Sequence, residues 1–295
     1  MKLGVVFPQT EIGNDPAAIR DYAQAAEELG FNHILVFDHV LGAHPERFQQ
    51  LGFKPPYSYQ TPFHEPFVLF GFLAAVTTRI ELVTGILILP QRQTALVAKQ
   101  AAEVDVLTGG RLRLGVGIGW NPVEYEALGE NFRNRGRRVE EQVALLRALW
   151  TSEIVDFDGR YHQVRRAGIN PLPVRRPIPI WMGGMSEPVL RRVARIADGW
   201  FPQFRPGPDS TATVERLRTY VRDAGRAVED VGIEGRISLF NTPEDQWGAA
   251  LEGWRGMAAS HVSVNTMGVQ LASPQAHIDA IRRFSETAAR VAPEV

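Results

Sequence analysis

The chain has 295 residues, a formal charge of −1, 44% hydrophobic residues and no cysteine. Near-neutral charge gives no electrostatic case for nucleic acid or an anionic membrane as partner, and the missing cysteine excludes disulfides, thiol nucleophiles, thiolate zinc sites and iron–sulfur clusters. The first apolar run stops at Pro8, too short for a signal sequence, and none approaches the roughly 20 residues that span a bilayer, so the expectation is a cytoplasmic protein.

In chain order, residues 3–8 read as a strand and "DPAAIRDYAQAAEELG" as a helix, with Asp15 as N-cap, Pro16 at the first helical position and Gly30 at the C-terminal end. Ile19, Tyr22, Ala23 and Ala26 share one face of it. Residues 33–37 form a second strand, 65–78 a nearly all-apolar helix, and 80–89 a third strand. A helix over 95–107 ends at Gly109-Gly110, and 111–119 are a fourth strand. A helix over 137–150 precedes a hairpin at 154–164 with its turn at Asp158-Gly159. The fifth strand is 178–184 and the sixth, short one 198–202, with helices over 187–197 and 210–226. Strands at 233–240 and 261–265 and helices after Pro243 and over 274–290 complete eight strand–helix units.

These strands are apolar throughout rather than alternating, as in a parallel sheet buried on both faces. Eight such units predict an α/β fold of the TIM (β/α)8 barrel type, one domain over 1–295 with insertions at 40–63 and 151–177. The competing open doubly wound sheet lacks its Gly-rich fingerprint, since the first strand ends in "FPQTEIGND".

A TIM barrel carries its chemistry at the C-terminal ends of its strands. There the sequence places Phe7 and Gln9, Asp38 and His39, Gly85 and Ile86, and Gly117, Gly119, Trp120 and Asn121. It also places there Gly183, Gly184, Met185 and Ser186, then Gln203, Asn241 and Asn265. Only Asp38 and His39 could ligate a metal, so no metal site is expected, and a two-carboxylate hydrolase lacks candidates. The mouth suits a flat, partly apolar ligand. Gly85 inside a strand marks either a barrel bend or a close ligand. The alternate glycines of "GVGIGW" leave room for a planar group. Gly183-Gly184 before a helix reads either as a tight turn or as a phosphate site at a helix N-terminus.

"FDH" after the second strand, "TGILILP", "GGRLRLGVGIGW" and "PIWMGGMS…ADGW", in this order, resemble the luciferase-like flavin-dependent oxidoreductases, and more narrowly the branch that uses the deazaflavin coenzyme F-420. The resemblance runs over essentially the whole chain. It implies the barrel fold, a cis peptide or bulge at Gly85-Ile86 behind the coenzyme ring, and ring contacts along Gly117, Gly119, Trp120 and Asn121. It also implies a phosphate site at Gly183, Gly184, Met185 and Ser186, and His39 beside the reactive ring edge with Asp38 as its neighbour. Where sugar-phosphate dehydrogenases of that branch carry an acidic Glu, this chain has Trp120, which points to a more apolar substrate.

The function expected from this is hydride transfer between F-420 and a small organic substrate bound near Phe7, Gln9 and Trp120. His39 would move the accompanying proton and Asp38 would orient His39 or bond to the backbone. The alternatives are a monooxygenase using reduced FMN and oxygen, and a non-catalytic coenzyme-binding protein. Segment 40–63 reads as a lid over the site, and family habit implies a homodimer.

Overall fold

The computed structural model describes residues 1–291 other than 51, 53 and 54. Strands β1 (Lys2–Val6) and β2 (His33–Val36) pair in parallel, Val5 opposite Ile34, and the helix α1 (Pro16–Glu28) crosses between them. The Asp15 carboxylate caps α1 on the amide of Ala17, and Pro16 opens it where no N–H is needed. Ile19, Tyr22, Ala23 and Ala26, spaced for one helical face, are all buried against the sheet.

Segment 40–63, expected as a loop, contains a short helix α2 (Pro45–Gln50), opened by a proline and fixed by the buried Phe48. Helix α3 (Pro66–Val76) leads to the third barrel stave, which is not the continuous strand its apolar run suggests. It is split into β3 (Glu81–Thr84) and β4 (Leu87–Ile88), and the Gly85–Ile86 peptide between them is cis. Both halves pair with β5 (Leu112–Gly117), Leu82 opposite Leu112 and Leu87 opposite Val116, so the break bends the stave without opening the sheet. Helix α4 (Thr94–Thr108) lies between them and stops at Gly109, whose φ of 69° is the left-handed conformation that glycine adopts without penalty.

After β5 come a short helix α5 (Pro122–Ala127), which the apolar periodicity does not reveal, and the long α6 (Arg135–Thr151). Strands β6 (Val155–Asp158) and β7 (Gln163–Ala167) form an antiparallel hairpin outside the barrel. Its connection is longer than the expected two-residue turn, because the Glu141 carboxylate accepts from the amides of Arg160, Tyr161 and His162 in turn. The barrel resumes with β8 (Ile180–Gly183), α7 (Glu187–Ile196), β9 (Gly199–Phe201), α8 (Pro208–Asp223), β10 (Gly232–Ser238) and α9 (Trp247–Gly256). It closes with β11 (His261–Asn265), which pairs with β1, and α10 (Pro274–Val291) packs outside. Counting β3 and β4 as one stave, the sheet is a closed parallel barrel of eight strands.

Most apolar burial lies between the sheet and its helices, where Trp150, Trp200, Trp254 and Phe284 are fully buried. Each such side chain contributes on the order of 1.5–3 kcal/mol or more. Inside the barrel a smaller cluster of Val6, Leu35, Val83, Trp181 and Phe201 fills the centre, with Phe37 and Ile86 packed on its upper side. Below it the interior is polar. Glu234 accepts from His33 Nε2 at 2.8 Å and from the Ser263 hydroxyl, and Arg113 joins Glu234 at 2.6 Å while lying 4.4 Å from the Trp181 ring centroid. Burial alone would raise the Glu234 pKa, but His33 and Arg113 outweigh it and hold the carboxyl far below its ordinary range. The barrel is therefore plugged from below and open only at its C-terminal rim. Among the described residues no helix is long and apolar enough to cross a membrane.

Candidate active site

At the rim a cavity of about 410 Å³ runs from the end of β2 across the split stave to the β8–α7 loop. Its floor is Ile86. The side chain of Ile86 occupies the space left by two facing glycines: a Cβ on Gly117 would lie 2.6 Å from Ile86 Cδ1, and one on Gly183 2.9 Å from Ile86 Cγ2. The alternate glycines of β5 thus do not themselves hold a planar ligand. Gly117 admits Ile86, whereas Gly115 faces the Thr84 carbonyl and Gly119 faces Ile88, and the Ile86 side chain forms a platform on which a ring can rest. Gly85 is close-packed for a related reason, since a Cβ there would meet Leu35 at 2.2 Å.

One end of the cavity is the N-terminus of α7. Gly184 turns the chain into it with a φ of 125°, and Met185 and Ser186 line the cavity beside it. Ser186 takes the N-cap position without using its side chain; Pro188 has no N–H and the Val189 amide donates to the Ser186 carbonyl at 2.8 Å, so the Ser186 hydroxyl and the Glu187 amide are what this helix start offers a ligand. The nearby Glu187 is drawn elsewhere, to Tyr220 and Arg191. Donors on a glycine turn ahead of a helix are a physically suitable seat for a phosphate, and a ring on Ile86 with its phosphate here would span the cavity. The residues present fit a flavin or deazaflavin coenzyme.

The other end holds His39. Its Nδ1 lies 2.7 Å from the Tyr57 hydroxyl and 3.3 Å from Glu124 Oε2. Asn121 Nδ2 donates to the same Tyr57 hydroxyl at 3.0 Å, and Glu124 Oε1 accepts from the Val40 amide at 2.7 Å. Burial, and then the Glu124 charge, push the Tyr57 pKa upward, so it stays a neutral phenol. With Asn121 donating into that oxygen and a carboxylate within reach, the arrangement favours the tautomer with Nδ1 protonated. Nε2 then carries the exchangeable site, and among the described residues it meets no hydrogen-bond partner. His39 also borders a second cavity of about 350 Å³, lined by Phe63, Leu96 and Leu128 among others.

Several sequence expectations are placed differently. Of the two roles expected for Asp38, it takes the bond to the backbone and does not orient His39. Its carboxylate, only 3% exposed as a residue, accepts from the Ile88 amide at 2.8 Å and pairs with Arg92 at 2.6 Å, and Arg92 in turn reaches Glu65. Asp38 therefore fastens the end of β2 to the strand just after the cis peptide. Phe7 and Gln9 are fully buried beneath the rim and line none of the cavities described; Phe7 packs on Tyr22 and His64, and Gln9 donates to the Phe37 carbonyl. Asn121 caps α5 and supports Tyr57 without lining the cavity. Gly119 and Trp120 do line it, and Trp120 stands 6.0 Å from the His39 ring.

Gln203 lines the cavity as its strand-end position predicts, whereas Glu124, Tyr57 and Arg236 reach the site without having been expected there. Glu124 carried a usable signal. "NPVE" is an N-cap, a first-position proline and an acid in the first turn, which marks a helix start next to a strand end. Tyr57 gave none, since its place depends on how segment 40–63 folds back over the rim.

A rim of this kind can seat a ring and a phosphate beside one carboxylate-backed histidine. Residues 1–293 match the family model of luciferase-like monooxygenases, and the chain belongs to that family. It is 35% identical over 209 residues to an uncharacterized protein of Mycobacterium tuberculosis strain H37Rv, covering 69% of this chain and 71% of that one. It is 30% identical over 230 residues to the FMNH(2)-dependent dimethylsulfone monooxygenase of Pseudomonas putida, covering 77% of this chain and 59% of the relative. Among solved structures it shares its fold with monooxygenase RslO1 from Streptomyces bottropensis, at TM-score 0.77, 21% identity and 98% and 99% coverage. An F-420-dependent secondary alcohol dehydrogenase is similar at TM-score 0.77, 18% identity and 98% coverage of each chain.

Proposed function

We propose that this protein transfers a hydride between the deazaflavin coenzyme F-420 and a small organic substrate. The observation that carries this reading is His39, held at Nδ1 by Tyr57 and Glu124 with Nε2 free at the cavity. When bound, the coenzyme supplies the ring atom that gives or takes the hydride. The chain supplies the rest. Ile86 supports one face of the ring, and the amides at Gly184, Met185 and Ser186 with the Ser186 hydroxyl hold the phosphate. Trp120 walls the substrate side, and His39 Nε2 gives the accompanying proton to the substrate oxygen or takes it away. Glu124 keeps the opposite nitrogen protonated and stabilises the imidazolium form. Orientation is the main requirement of a hydride transfer, and a rigid platform with one proton donor meets it.

A second reading, monooxygenation with reduced FMN, is favoured by the 30% identity to the FMNH(2)-dependent enzyme. FMN also brings a tricyclic ring and a phosphate, so the same residues would hold it. Titrating the purified protein with each coenzyme, followed by quenching of Trp120 fluorescence, separates the two. Submicromolar binding of F-420 with weak FMN binding supports the first; tight FMN binding with no deazaflavin binding reverses it. A protein that only stores coenzyme would not need a further cavity beside the platform, and the space behind His39 supports an enzyme instead. We also infer a homodimer, because Val68, Phe72 and Leu96 expose apolar area on the neighbouring helices α3 and α4; light scattering at the mass of one chain would refute it.

A further inference from the structure

The cavity over Ile86 neighbours a larger one of about 570 Å³, between the ends of β9 and β10, with Gln203 and Arg236 lining both. Nothing in the proposed hydride transfer uses this second space. Its lining holds two guanidinium groups, Arg205 and Arg236, and no aspartate or glutamate. Among the described residues Arg205 donates to the Asn241 carbonyl alone, at 2.7 Å. Arg236 points from the inner face of β10 towards the rim, its guanidinium 5.8 Å from the Phe37 ring centroid, and among the described residues it has no hydrogen bond or ion pair.

The carboxylate nearest to Arg236 along the strand cannot serve it. Glu234 is already committed to His33, Ser263 and Arg113 on both oxygens. Arg236 is exposed where it lines the two cavities, so its guanidinium is open to an incoming ligand. A third donor meets no acceptor either. Trp254 is fully buried, forms part of the cavity wall and stacks on Phe204 at 5.7 Å, and its indole Nε1 has no hydrogen-bond partner. A buried indole N–H without an acceptor is costly, and an exposed planar guanidinium is suited to bidentate capture of a carboxylate or sulfonate.

We propose that the β9–β10 cavity is an anion subsite and that the substrate is an organic acid, its carboxylate or sulfonate held by Arg236 and Arg205 while its reactive carbon lies over Ile86. This rests on the reading of the Ile86 cavity as the coenzyme site. It changes the substrate expected from Trp120 alone: an apolar body fits the Trp120 end, and an anionic head fits the Arg236 end.

The test measures binding of benzoate and of its neutral analogue benzamide by calorimetry, first to the coenzyme-free protein. Benzoate is expected to bind at least about tenfold more tightly than benzamide, the scale of one charge-assisted pair. Arg236→Gln should abolish the preference, and Arg236→Lys, which keeps the charge and serves as the control for folding, should retain part of it. Equal binding of the two compounds, or a preference unchanged in Arg236→Gln, overturns the proposal. The titration is then repeated with coenzyme bound. A preference that persists assigns the anion to the substrate, whereas displacement of benzoate by the coenzyme overturns that assignment and gives the cavity to the coenzyme's own anionic part. The first titration needs no coenzyme, so its outcome stands apart from the coenzyme reading.

Discussion

The Tyr57 hydroxyl sits 2.7 Å from His39 Nδ1, so a residue of segment 40–63 completes the hydrogen bonding of the histidine at the end of β2. The segment is thereby tied to the end of β2, and in the proposed hydride transfer it would help position His39. Tyr57→Phe removes that bond and leaves the Asn121 amide without its acceptor, at a cost of about 1–3 kcal/mol in stability. Coenzyme affinity should stay within about twofold, because Tyr57 does not line the ring cavity, while turnover falls and its pH–rate profile shifts. A stability loss with an unmoved pH profile would reduce Tyr57 to a packing residue.

His39→Ala should preserve the fold and coenzyme binding and lower kcat by at least about tenfold, the lower end of what a positioned acid–base group contributes. Single-turnover kinetics on the coenzyme-loaded enzyme give the answer. Unchanged turnover would leave His39 as a structural residue at a strand end.

Asp38→Asn behaves differently. It leaves Arg92, whose side chain is 13% exposed, with Glu65 alone, and breaking a buried pair of this kind costs about 3–5 kcal/mol. The expected result is a large fall in melting temperature with the shape of the pH–rate profile intact. A change of that shape at constant stability would return Asp38 to the proton-transfer machinery.

Gly117→Ala places a methyl 2.6 Å from Ile86 Cδ1 and forces the platform upward into the cavity. Overpacking of this type costs about 1–3 kcal/mol, and coenzyme binding should weaken with it. Adding Ile86→Ala makes room for the methyl, so the double variant should recover part of both losses. Independent, additive effects of the two changes would show that Gly117 and Ile86 are not coupled in this way.

Stability should fall on acidification in two stages. His261 lies beside His33 and Trp181, and burial together with Arg113 lowers its pKa from 6.5 to about 3. The unfolded chain therefore takes up a proton below pH 6.5 that the folded chain refuses until about pH 3, and stability declines across that window. Glu234 adds a second decline. Its folded pKa lies below the unfolded 4.5, so its stabilisation is complete above that value and is lost as pH falls further. Replacing His261 with Gln should flatten the melting temperature between pH 6.5 and 4.5 and leave the steeper fall below it.

The barrel was legible in the sequence because burial on both faces of a parallel sheet leaves an unmistakable record, in apolar runs such as "HILV" and "HVSVN" divided by amphipathic segments. The rim was legible wherever a strand end fixes a residue, as at His39, Trp120 and Ser186. What the sequence hides are relations across the rim. Asp38 and His39 are adjacent in the chain, yet one turns towards Arg92 and the other towards Tyr57 and Glu124, and no periodicity encodes that divergence. Arg236 stayed hidden for another reason: a single charge within the strand "GRIS" does not say whether it meets the helices or the barrel mouth, and only barrel closure brings it to the rim cavity.

Ile86 sets a height. Because its side chain fills the gap between Gly117 and Gly183, in the proposed complex its size would decide how far above the barrel floor a coenzyme ring rests, and with that the reach between the ring, His39 Nε2 and a substrate at Arg236. A single position thus acts as a spacer for the whole assembly. Shorter or longer aliphatic side chains at 86 would retune the donor–acceptor separation without altering any group that makes or breaks a bond.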